Sequence, residues 1–110
     1  MENLGTYDRF QARLLANFLD RMASTPEGDG TMLDNTIVFY GTSNSKTHVN
    51  RDYPLMVAGG RKLGIRQGIF HDLSQSAVPL SNLFLSFLHS LDVPIRSFSD
   101  STGTLPEILA

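Results

Sequence analysis

The sequence predicts an α/β fold: a small sheet of two to three strands flanked by two amphipathic helices, in a single module over residues 1–110. Three observations carry this. Apolar residues recur at three- and four-residue spacing near both ends of the chain, the period of a helix with one covered face. Between them lie two short β-branched and aromatic runs, TIVFYG and PLMVAGG. Clusters of Gly, Pro, Asn, Asp and Ser separate these segments, as turn chemistry requires.

The first helix is expected over residues 6–23, where Tyr7, Phe10, Leu14, Leu15, Phe18, Leu19 and Met22 form one face. Thr6 is its expected N-cap, and Asp8 suits the positive end of the helix dipole. Pro26 ends it, because the residue before a proline is pushed out of helical geometry. The stretch STPEGDGTMLDNT reads as a loop. TIVFYG and PLMVAGG then read as strands buried on both faces, with Pro54 at a strand start where no ladder donor is needed. IRQGIFHDL is a candidate third strand. Leu80, Leu83, Phe84, Phe87, Leu88 and Leu91 mark the second helix, with Pro79 in its first turn and Asp92 to Pro94 at its end. Phe84, Phe87 and Leu88 are its expected anchors, while Ser86 falls off the apolar stripe. Phe98, Leu105 and Ile108 anchor a polar tail. Two helices can hardly cover both faces of an open sheet, so the pattern predicts a fragment of a larger α/β domain or an oligomer that completes its own cover.

Composition narrows the functional classes. The chain has 110 residues, 41% hydrophobic and 18% charged, with a formal net charge of -2. That balance is globular, and it argues against non-specific nucleic-acid binding, which concentrates Lys and Arg. Arg61, Lys62 and Arg66 are the nearest approach to a basic patch and read as a solvated loop. With no cysteine, disulfides and thiolate metal sites are excluded. No apolar run approaches the roughly 20 residues that span a bilayer, so no membrane insertion is expected. MENLGTYDRF has no basic region leading into an apolar one, so the chain carries no secretory signal; a longer exported parent is left open.

The chemistry-bearing residues gather after the first strand. In open α/β sheets ligands bind beyond the carboxyl ends of strands. Gly41, Thr42, Ser43, Asn44 and His48 fall there and are the candidate ligand-binding set, with His48 the one candidate metal ligand. The competing reading gives these small polar residues only strand-capping and turn duties. A histidine needs company to hold a metal. Asp52 is four residues beyond His48, but in a loop that spacing decides nothing, and His71 beside Asp72 need not share a site with it. Ser43 and His48 could meet, yet nothing in the sequence supplies the oriented base and oxyanion partner that a nucleophile requires. The GDG and AGG triplets are too short for phosphate loops and read as turns.

TPEGDGTMLDNTIVFYG, a single histidine ahead of PLMVAGG, and VPLSNLFLSFLHSLDVPIRSFSDSTGTLPEI together resemble the C-terminal part of an uncharacterised bacterial family named for an HxxSHH motif. That family is similar to the alkaline phosphatase and sulfatase superfamily. The resemblance implies a partial alkaline-phosphatase-like sheet and, in a full-length parent, a divalent-metal site for phosphate or sulfate esters. It also implies an incomplete site in this chain. The superfamily's metal-binding Asp-His pair corresponds to Ser43 and Asn44, both poor zinc ligands. His48 matches a later ligand histidine, and Asn50 stands where a second histidine is common. The HxxSHH motif and the nucleophile would lie upstream of Met1. The expected function is therefore an alkaline-phosphatase/sulfatase-like C-terminal module, not catalytic alone and holding no metal of its own. The alternative is a small structural module that self-associates. Either way a homo-oligomer is expected.

Overall fold

The computed structural model describes residues 2–42 and 53–110. Helix α1 spans Glu2–Ala23. It starts more than a turn earlier than the sequence predicts, so Thr6 lies inside it rather than at its cap. The reason is Leu4, which extends the 3.6-residue apolar period back to the first turn. At the other end two hydroxyls satisfy carbonyls that a helix terminus leaves over. Ser24 Oγ donates to Asp20 O at 2.8 Å and Thr25 Oγ1 to Arg21 O at 2.6 Å. Pro26 then stops the helix, as expected.

The stretch read as a loop holds a minimal antiparallel hairpin, strands β1 (Pro26–Glu27) and β2 (Gly30–Thr31), turned at Gly28 with φ +59°. A 3-10 turn at Leu33–Asn35 follows, and α1 meets the rest of the molecule mainly there. The two apolar runs form β3 (Ile37–Gly41) and β4 (Leu55–Gly59), paired antiparallel from Ile37 opposite Gly59 to Gly41 opposite Leu55. β4 runs straight into a second 3-10 turn, Arg61–Leu63. Glycine is required at the join: Gly59 has φ +80°, and a Cβ there would lie 2.2 Å from Thr36 O. The turn reading of AGG is thus right.

Among the described residues the fold is mixed α/β, with two α-helices and two small antiparallel two-stranded sheets. Two expectations need correction. The strands are not buried on both faces: towards Gly41 and Leu55 the pair leaves Phe39, Tyr40, Leu55 and Met56 partly exposed, with only Phe39 of the four in ring contact with Phe84 and Phe87. And IRQGIFHDL is not a third strand. Only Ile65 bridges, to Leu109, after which Gly68 (φ +73°) breaks extended geometry and Phe70 points to solvent.

Helix α2 (Leu80–Ser90) starts behind Pro79 and closes with a Schellman turn, in which Val93 N–H donates to Leu88 O and Asp92 N–H to His89 O. Asp92 takes the left-handed position usually given to glycine (φ +59°). Ile65, Leu83, Phe87 and Leu105 make the core, with Ile37, Val57, Leu80, Phe84 and Ile108 packed around it. Phe84 meets Phe39 edge-on at 5.4 Å and Phe98 at 6.3 Å between ring centroids. Of the expected anchors, Phe87 is buried and Phe84 and Leu88 are half-buried. Ser86 is a further correction. It is fully buried, because the tail after α2 folds back over its polar side. Ser81 Oγ donates to Asp100, Asn82 exchanges two hydrogen bonds with Thr102, and Ser86 Oγ accepts from Leu105 N–H at 2.7 Å while donating to Asn82 O. The tail ends beside the second 3-10 turn, with Arg66 N–H on Ile108 O and Ala110 N–H on Gly64 O.

Candidate functional site

The hairpin of β3 and β4 positions the candidate loop. Gly41 is the last residue of β3 and is exposed. Its lack of a side chain serves the neighbouring strand: a Cβ there would meet Leu55 Cδ2 at 2.5 Å and Pro54 O at 3.1 Å. Gly41 therefore leaves room for the close approach of β4. Thr42 follows and is exposed. Ser43, Asn44 and His48, with Asp52, lie outside the described residues. Among the described residues, no group of three or more His, Asp or Glu side chains could hold a metal ion, and no helix is long and apolar enough to cross a membrane.

The other histidines are far from one another in role. His89 is exposed on α2, with Nε2 2.8 Å from Ile95 O, so it ties the helix end to the following turn. His71 is half-buried on the rim of a groove of about 1010 Å³. Val57, Ile65, Leu83 and Leu105 line this groove, together with Tyr53, Arg66, Phe70 and Asp72. Asp72 caps the turn at Ser74: its carboxylate accepts the Ser74 N–H at 3.0 Å and is held below the usual carboxylate range by hydrogen bonds from that residue. The groove is apolar within and polar at its lip, but it brings together no nucleophile and base.

Two of the three basic residues are more than a solvated loop. Arg61 Nε reaches Asp34 Oδ1 at 3.0 Å, and Lys62 Nζ pairs with Asp29. These pairs lock the β1–β2 hairpin and the first 3-10 turn onto the second. Asp34 also accepts the Thr31 N–H, and its carboxyl is lowered to about 2, chiefly by the hydrogen bond from Arg61. Asp29 is lowered chiefly by Lys62, and Arg61 is raised by Asp34. Arg66 stands exposed at the groove.

The largest feature that sequence reasoning misplaced is the covered face of α1. Leu4, Tyr7, Phe10, Leu14 and Phe18 are 50–62% exposed, and only Met22 at the C-terminal end is buried. The periodicity that predicted a helix could not tell whether this chain supplies the cover. No protein-family model, no curated protein and no solved structure matches the chain.

Proposed function

We propose that the chain is an alkaline-phosphatase/sulfatase-like module that is not catalytic alone and contributes the loop between β3 and β4 to a phosphate or sulfate ester hydrolase site in a longer protein. One observation supports it beyond the resemblance: the apolar side chains Phe39, Tyr40, Leu55 and Met56 are partly exposed at the end of a sheet that has two strands among the described residues. A soluble monomer rarely leaves such a patch uncovered. Further strands laid against this hairpin would cover it and bring a nucleophile to the loop. In that site His48 is the expected metal ligand, with Ser43 and Asn44 at positions too weak to complete a zinc set.

The chain by itself should release no product from aryl phosphate or aryl sulfate and should purify without stoichiometric zinc. Joined in frame to an upstream segment that carries HxxSHH and the nucleophile, it should hydrolyse one of the two esters when loaded with divalent metal, and His48→Ala should abolish that activity. Stoichiometric zinc in the isolated chain, lost in His48→Ala, would refute the non-catalytic part. A folded, metal-loaded joined protein inert toward both esters would refute the hydrolase part. A second reading, a structural module that self-associates, is favoured by the exposed face of α1.

A further inference from the structure

We propose that α1 covers its apolar face by pairing with α1 of a second copy, as an antiparallel two-fold coiled coil. The inference is independent of the hydrolase reading. Leu4, Tyr7, Gln11, Leu14 and Phe18 follow one another by three, four, three and four residues, the seam spacing of a coiled coil. A helix that simply lies on a globular core shows a broader stripe, mostly buried. Here four of the five seam residues, Leu4, Tyr7, Leu14 and Phe18, are exposed and Gln11 is half-buried, while the charged residues Arg9, Arg13 and Asp20 fall on the opposite side.

The helix also specifies a register. Antiparallel pairing that sets the inner seam residues of one copy against those of the other puts residue i opposite residue 25 − i. That places Tyr7 opposite Phe18, Gln11 opposite Leu14 and Leu4 opposite Arg21. Seam positions then meet seam positions in every layer but the outermost, where Arg21 keeps its charge at the solvated end and lays its aliphatic stem on Leu4. Gln11 is the polar residue within the seam; its Nε2 already donates to Tyr7 Oη at 2.7 Å, so one of its amide donors is paired before association. Polar seam residues restrict register at some loss of stability. Opposed helix dipoles favour the antiparallel sense.

The area suits a weak, reversible dimer. With aromatic side chains at about 150–250 Å², the exposed stripe offers roughly 550 Å² per copy, or about 1,100 Å² for the pair. That clears the roughly 1,000 Å² expected of a specific interface and sits at the low end of the range.

Sedimentation at tens of micromolar should give a dimer that dissociates on dilution. Leu14→Glu should leave monomers at the same concentration, and Ala16→Glu, on the far side of the helix, should leave the dimer intact. Orientation is read from disulfide formation, since the natural chain has no cysteine. Leu4→Cys mixed with Arg21→Cys should cross-link. Leu4→Cys alone should not, because the two copies of residue 4 would stand about 25 Å apart along the helices, far beyond the roughly 7 Å limit for a bridge. Monomers at high concentration, a dimer indifferent to Leu14→Glu, or efficient cross-linking by Leu4→Cys alone would each overturn the proposal. So would a monomeric protein in which a joined upstream segment buries the stripe.

Discussion

Ser86 is the residue at which pattern and packing disagree most. A hydroxyl between Leu85 and Phe87 looks like a solvated break in an apolar stripe. In the fold it is fully buried and takes part in two hydrogen bonds, one of them from the Leu105 backbone. Removing it would leave a buried N–H with no acceptor, which costs about 1–3 kcal/mol. Ser86→Ala should therefore lower the denaturation midpoint clearly, and Phe87→Ala should lower it further, by about 3–5 kcal/mol for loss of a buried aromatic. A midpoint for Ser86→Ala equal to that of the parent would mean that the tail does not dock there. Gly59 sits at the other extreme of legibility. Its role as a turn residue was readable, but the close approach of Thr36 O that enforces it depends on a partner 23 positions earlier in the chain.

At the scale of elements, sequence reading worked where the signal was local. α2 was legible because its stripe, its leading proline and its stop all lie within 16 residues, Pro79 to Pro94. β3 and β4 were legible as β-branched runs between turns. The third strand failed because pairing is not local: Ile65 found Leu109, and nothing held the residues after Gly68 in a ladder. Of the candidate site, Gly41 and Thr42 lie within the described residues, and Ser43, Asn44 and His48 lie outside them. The two ion pairs that clamp the β1–β2 hairpin and the 3-10 turns were hidden for the same reason, since Asp34 and Arg61 are 27 residues apart. They give a pH signature. A carboxyl held at about 2 in the folded chain and near its ordinary value of 3.8 when unfolded stabilises fully above about pH 4 and loses that contribution as pH falls through about 2. Protection of the β1–β2 amides from hydrogen exchange, relative to the intrinsic rate at each pH, should fall over that window in the parent, and Asp34→Asn should remove the step. Unchanged protection in the parent between pH 4 and pH 2 would show that the clamp does not hold the hairpin.

At the scale of the whole molecule, the radius of gyration of 15.5 Å exceeds the roughly 13 Å expected near this length, and α1 leaves most of its apolar face exposed. Its amides should exchange faster than those of α2 in a dilute sample and slow on concentration, since a helix with little tertiary support is only marginally stable. The opposite end of the chain has a different consequence. The core is closed by Leu105 and by the bridge from Ile65 to Leu109, so its two halves are some 40 residues apart in order of synthesis. As the chain leaves the ribosome, at about 5–20 residues per second, β3, β4 and α2 are made with Leu83 and Phe87 uncovered and Ser86 without the donor that Leu105 later supplies. For those seconds the nascent protein presents an unfinished interior, and chaperone engagement should be greatest there, ending when residues 105–109 clear the tunnel.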